Sequence, residues 1–216
     1  MSKQYDLVVF DWEGTLSDTL GLVLNCVSEE ARRLGFGELD EEVARQYVEL
    51  GLVKAIKKVF PDLSLQQYEQ LLDAVQQSVL FHHREVYLIP GALTLIQRLQ
   101  RAGVTLAIAT NKGSQSLQRA LNLTGLEDYF QTTRCAGQFP PKPSPDMLQD
   151  ILEVLDVPAS RALMVGDSTT DIEMAYSTGV DAIGVNFYHK DPSALLGEGA
   201  LAVFDDYQLL ADYLHL

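Results

Sequence analysis

Four short stretches of this chain place carboxylates, a hydroxyl and an amine just beyond or between apolar runs. Asp11-Trp12-Glu13-Gly14-Thr15 follows the run Tyr5–Phe10, and Thr110-Asn111 closes the run Val104–Thr110. Lys142-Pro143-Ser144-Pro145 reads as a loop, and Gly166-Asp167-Ser168-Thr169-Thr170-Asp171 follows Ala162–Val165. If these runs are parallel neighbours, Asp11, Glu13, Asp167 and Asp171 converge on one crevice at the strand ends. Clustered carboxylates repel and raise one another's pKa unless a cation sits among them. Hard oxygen ligands, with positions left for water and phosphate, suit Mg²⁺. The same crevice would hold the Lys142 amine, the Thr110 hydroxyl and the helix N-terminus after Asn111, all groups that bind phosphate oxygens. A carboxylate so placed can attack phosphorus and form an aspartyl-phosphate. A second acid two residues on can protonate the leaving alkoxide and then activate water. The chemistry expected is two-step phosphoryl transfer to water. Each stretch alone reads as a turn, an N-cap or a loop; the four in this order do not.

The elements that must position these groups are legible as alternation. Apolar runs at Tyr5–Phe10, Val104–Thr110, Ala162–Val165, Ala182–Val185 and Ala200–Phe204 predict buried strands. Helical patterns at Ala92–Ala102 (with Leu93, Ile96 and Leu99 on one face), Ser114–Leu123, Pro145–Leu155, Thr169–Thr178 and Asp206–Leu214 lie among them. Strands alternating with helices predict an α/β fold, a doubly wound parallel sheet of Rossmann-like form. Residues 19–87 break the rule, with helical stretches only: Leu20–Leu34, then Asp40–Phe60 with Asp40 as N-cap and Gly51 as an interruption, then Ser64–Arg84. Ser64 with Gln67 forms a capping-box signature. The expected division is a core of residues 1–17 and 88–216 with an inserted α-helical cap domain of residues 18–87. An insert of that size is a small domain, and its expected place is over the carboxyl ends of the strands.

Composition narrows the partners. The chain has 216 residues, with 30 acidic against 16 basic, a net charge of −14 and a pI near 4.5. Such a surface repels phosphate backbones and anionic lipid, so neither nucleic acid nor a membrane surface is an expected partner. A hydrophobic fraction of 47% supports a sizeable core without disulfides. Cys26 and Cys135 share no metal-type spacing and are expected to be buried, reduced thiols. The apolar run before Asp11 is too short for a signal peptide, and no uncharged stretch is long enough to span a bilayer, which makes the expected location cytoplasmic. Charge bears only on solubility, so monomer and homodimer both stay open.

The ordered motifs resemble the haloacid dehalogenase (HAD) superfamily of phosphohydrolases, over the whole chain and most closely the phosphoglycolate phosphatase-like branch with a helical cap. That resemblance implies Asp11 as nucleophile and metal ligand. It implies residue 13 as acid/base, giving its backbone carbonyl to Mg²⁺. Thr110 and the Asn111 backbone would hold the phosphoryl group, and Lys142 would neutralise the nucleophile and the phosphoryl charge. Asp167 would bind Mg²⁺, and Asp171 would support the ligands from behind. The implied substrate is a small phosphorylated metabolite.

Glu13 departs from the pattern, since the family's phosphatases usually carry Asp there. The intrinsic acidities are close, about 3.9 for Asp and 4.3 for Glu, so the difference is reach. One more methylene moves the carboxyl by about 1.5 Å, and a misplacement of about 1 Å can cost on the order of 100-fold. The alternatives are a phosphomutase of the same fold and, on the strength of Glu13, a catalytically impaired phosphate-binding or regulatory protein. A dehalogenase fits less well, because that chemistry does not need Asp167 and Asp171 in this arrangement. Lys54 is a candidate for choosing the substrate. Lys57 and Lys58 read as a solvated face, His82, His83 and Arg84 as a basic helix end, and His189-Lys190 as a rim loop. Asp18 and Thr19 read as the start of the linker into the cap.

Overall fold

The computed structural model describes residues 5–40, 43–44, 52–82, 86–188 and 191–216. Gly51, His83, Arg84, His189 and Lys190 lie outside the described residues, as do the side chains of Lys54 and His82. The chain divides into two compact units, Met1–Asp18 with Leu88–Leu216, and Thr19–Tyr87.

The larger unit is an α/β layer structure. Its strands are β1 (Leu7–Phe10), β2 (Thr105–Gly113), β3 (Thr132–Ala136), β4 (Ala162–Gly166), β5 (Asp181–Val185) and β6 (Val203–Phe204). They form one sheet in the order β3-β2-β1-β4-β5-β6, with every neighbouring pair parallel. β1 and β4 are buried along their whole lengths, which is why they read as unbroken apolar runs rather than alternating ones. The connection from β3 to β4 carries the chain across β1, so the strand order reverses between β1 and β4. Open sheets bind ligands at such a switch, outside the carboxyl ends of the strands. The helices around the sheet are α4 (Ala92–Arg101), α5 (Ser114–Thr124), α6 (Asp146–Leu155), α7 (Thr169–Thr178), α8 (Ser193–Gly197) and α9 (Tyr207–Tyr213).

The smaller unit contains α1 (Thr19–Arg33), α2 (Leu52–Val59) and α3 (Leu65–His82). Its own core joins Cys26, Val27 and Ala31 of α1 to Ile56 of α2 and to Tyr68, Leu71 and Val75 of α3. The capping box at the head of α3 is made: Gln67 donates its amide N–H to Ser64 Oγ at 3.3 Å, and Ser64 donates its own to Gln67 Oε1 at 2.9 Å. Asp40 Oδ1 accepts from the Val43 amide at 3.1 Å, the N-cap geometry its sequence position suggests. Lys57 and Lys58 are exposed.

The doubly wound α/β core is the one the alternation predicts, with corrections in detail. A sixth strand, β3, occupies a sheet edge where no apolar run stands. Its sequence Thr-Thr-Arg-Cys-Ala is mostly half-buried, so an edge strand carries no strong hydrophobic signature. β6 keeps only the last two residues of the run Ala200–Phe204. β2 runs three residues past Thr110, with an irregularity in its pairing to β3 between Thr110 and Gly113. Asn111 and Lys112 therefore belong to the carboxyl end of β2, and the helix begins at Ser114, as its pattern predicts. On α4 the buried face is Ala92, Leu95, Ile96 and Leu99, while Leu93 is exposed. Cys26 and Cys135 are both buried and are thiols, not a disulfide, as their spacing suggests. Among the described residues no helix is long and apolar enough to cross a membrane.

Candidate active site

The period of two along an extended chain puts Asp11 and Glu13 on one side and Trp12 on the other. Trp12 is fully buried, so its ring anchors the backbone between the two acids at the sheet's rim. The Asp11 amide donates to the Val165 carbonyl at 2.9 Å and extends the β1–β4 ladder by one bond. The chain then turns sharply: Leu16 and Ser17 both donate to the Trp12 carbonyl, at 2.9 and 2.8 Å. Gly14 sits in this turn at φ 75°, a conformation that favours glycine. A side chain there would also collide, since an added Cβ would lie 2.3 Å from Asp167 Oδ2. Gly166 faces the same constraint, with its absent Cβ 2.3 Å from Asp171 Cγ. Bare backbone at these two positions is what lets carboxylates from β1 and β4 crowd together.

We expect Gly14→Ala to destabilise the protein by about 1–3 kcal/mol through strain at this turn. It should also remove any stabilisation that Mg²⁺ gives, because the collision displaces Asp167. Urea unfolding with Mg²⁺ and with chelator measures both; a variant that still gains full stability from Mg²⁺ would contradict the assignment.

Lys142 is the hub. It is 6% exposed, yet its amine donates to Asp11 Oδ1 at 2.6 Å and to Asp171 Oδ1 at 2.5 Å. Its backbone amide donates to Asn111 Oδ1 at 2.8 Å, which ties the loop to the end of β2. The Lys142–Pro143 peptide is cis. Asp171 is fully buried in the first turn of α7 and engaged at both oxygens. Oδ1 takes Lys142, and Oδ2 takes the Ser168 amide at 3.1 Å and the Ser168 hydroxyl at 2.7 Å, closing a capping box. Asp171 therefore holds Lys142 and the helix start rather than offering a vacant edge.

Burial pushes the Asp11 carboxyl up to about 6, against the downward pull of Lys142 and with help from Asp171. Burial acts to lower the Lys142 amine, but the Asp171 and Asp11 charges outweigh it and hold the amine raised. Asp11, Asp167 and Asp171 each offer a carboxylate oxygen, all within 4.8 Å of one another. With all three ionised, Lys142 cancels one of three negative charges, and the remaining two match one divalent cation. The donors are hard oxygens, which suits Mg²⁺. Asp11 and Asp167 are the acids free of the Ser168 capping role, and the backbone carbonyl at residue 13 lies on the same turn. The donor set fits such an ion.

The cleft around these groups has a volume of about 410 Å³ and is lined by Asp11, Glu13, Thr110, Asn111, Lys112, Lys142, Asp167, Ser168 and Thr170. That is small-metabolite size. Every residue named from sequence for the site lines it except Asp171, which lies behind it on Lys142. Four residues given no role from the sequence belong here too. Lys112 pairs with Glu13 Oε1. Thr15 donates its hydroxyl to Asp167 Oδ1 at 3.4 Å, and Ser168 caps α7 through Asp171. Tyr207, at the head of α9, donates to the Thr15 carbonyl and is 2% exposed. Burial, then the nearby Asp167 and Asp11 charges, hold its phenol well above the ordinary range. Lys112 and Thr15 stood beside motif residues in the sequence. Nothing local marks Tyr207, nearly the whole chain away from Thr15.

The chain's residues 8–185 match the family model described as haloacid dehalogenase-like hydrolase. It is 31% identical to the phosphoglycolate phosphatase of Rhodospirillum rubrum, over 96% of this chain and 90% of that one. It is 30% identical to the phosphoglycolate phosphatase of Vibrio vulnificus, over 89% of each. Among solved structures it is similar to CbbY from Rhodobacter sphaeroides in complex with phosphate. That likeness has a TM-score of 0.63 and 25% identity, covering 99% of this chain and all of the other. The chain belongs to the haloacid dehalogenase-like hydrolase family, as a phosphoric monoester hydrolase of the phosphoglycolate phosphatase-like kind.

Proposed function

We propose that the protein is a Mg²⁺-dependent, cytoplasmic phosphatase of a small phosphorylated metabolite, a phosphoglycolate-like phosphomonoester, acting through an aspartyl-phosphate on Asp11. The observation that carries this reading is the buried Lys142 bridge. One amine holds Asp11 and Asp171 together at the switch point, with Asp167 close enough to complete a divalent site. The relatives named phosphoglycolate phosphatase support the substrate class.

Asp11 and Asp167, with the residue-13 carbonyl, would hold the ion. When bound, it would offset phosphoryl charge and draw the phosphate towards Asp11. Lys142 orients the Asp11 carboxylate and stabilises charge on the transferring group. Thr110 and the Asn111 backbone hold the phosphoryl oxygens. An Asp11 oxygen attacks phosphorus, the ester P–O bond breaks, and Glu13 gives its proton to the leaving alkoxide. Glu13 then takes a proton from water; that water attacks the phospho-aspartate, releasing phosphate and restoring Asp11. We assign the helical unit as a cap that selects the substrate and limits water.

The test is phosphate release from an aryl phosphate by the parent and by Glu13→Asp, each with Mg²⁺ and with chelator. The expected result is metal-dependent release by the parent. Release only from Glu13→Asp would replace this reading with the phosphate-binding one, which the extra methylene of Glu13 favours. No release from either would overturn the phosphatase reading.

A further inference from the structure

Among the described residues, Lys112 is the one cation lining the cleft that none of the four motifs uses. It stands in the irregular stretch of β2 between Thr110 and Gly113, and its amide donates to Thr110 Oγ1 at 3.2 Å. The paired residues on either side, Thr110 and Gly113, and this bond fix where its side chain starts. Its ammonium contacts Glu13 Oε1. The side chains are 26% and 39% exposed, so the ion pair contributes little to folding. Nothing about stability calls for a lysine here.

The pair bears instead on the extra methylene of Glu13. A longer acid at a cleft mouth has an additional rotatable bond and more places to put its carboxyl. A lysine anchored on the neighbouring strand removes that freedom by holding the carboxylate from one side. We propose that Lys112 is a positioning residue for Glu13, restraining the longer acid so that its carboxyl can serve the proton-transfer steps. This inference rests on the phosphatase reading above and names a residue which that reading does not use.

A double-mutant cycle tests it, with Lys112→Met made in the parent and in Glu13→Asp. An aspartate is one methylene short of this contact, so the lysine has little to hold in that background. The expected result in the parent is a fall in kcat of about 10- to 100-fold with a smaller change in KM, the scale of a misplaced catalytic group. In the Glu13→Asp background the same substitution should cost less than about 3-fold, so the two changes are strongly non-additive. Lys112→Arg should retain most of the parent's kcat, and the urea midpoint of Lys112→Met should match the parent's.

Equal losses in both backgrounds would overturn the inference, because Lys112 would then act on substrate rather than through Glu13. An unchanged kcat in the parent would overturn it as well, as would activity confined to Glu13→Asp. Absence of release from every variant and the parent would overturn the phosphatase reading and this inference with it.

Discussion

Asp11→Asn should abolish phosphate release, by at least about 10⁴-fold, the scale seen when a covalent nucleophile is removed. The amide matches the carboxyl in shape but cannot form the mixed anhydride with phosphate, so no intermediate can accumulate. The same substitution should not weaken the metal-free fold. Burial holds the Asp11 carboxyl up at about 6, above its ordinary value of 3.8, despite Lys142. A group whose folded pKa is raised costs stability as pH rises between the unfolded and folded values, and that cost is complete above about 6. At neutral pH the ionised Asp11 is therefore a burden that the neutral amide lifts. Urea unfolding in chelator should give Asp11→Asn a midpoint no lower than the parent's. Retained turnover would show that Asp11 is not the nucleophile, and a large drop in midpoint would make it a structural anchor instead.

Lys142→Met should do the opposite to the fold. The amine is the shared partner of Asp11 and Asp171, whose side chains are 10% and 0% exposed. A methionine fills similar space and leaves both buried carboxylates without their cation. Breaking a buried pair by removing one partner costs about 3–5 kcal/mol, a large share of a domain's net stability. Mg²⁺ should recover part of the loss, because a cation bound to the folded state alone stabilises it. Phosphate release should also fall by on the order of 10²–10³-fold, as when one charge-stabilising donor is removed. Equilibrium unfolding at several Mg²⁺ concentrations reads the first effect and steady-state turnover the second. A midpoint equal to the parent's in chelator would contradict the hub role.

Much of this site is legible in the sequence because its residues sit at the ends of the most buried strands. Leu7–Phe10 and Ala162–Gly166 are buried on both faces, so their apolar runs are unbroken and the first polar group after each is conspicuous. Asp11 and Asp167 are those first polar groups. Lys142 carries no such flag; it enters through order and resemblance, and only the folded chain shows that its amine joins Asp11 to Asp171. The edge strand Thr132–Ala136 escapes detection for the converse reason, since a half-buried strand at a sheet edge needs few apolar residues. Lys112 hides in the irregular end of β2, beyond the apolar run that marks the strand. Tyr207 is invisible locally because its partner, the Thr15 carbonyl, reaches it through the tertiary fold alone. Strand-end chemistry is written in local contrast, whereas the supports behind it depend on contacts distant in sequence.

The central claim is covalent transfer to Asp11. The most direct measurement is peptide mapping of enzyme quenched in acid during turnover of an aryl phosphate with Mg²⁺. The account predicts one phosphoryl adduct, on the peptide carrying Asp11, absent with chelator and absent in Asp11→Asn. Metal-dependent phosphate release with no adduct at any quench time, or with the adduct on another residue, would contradict it.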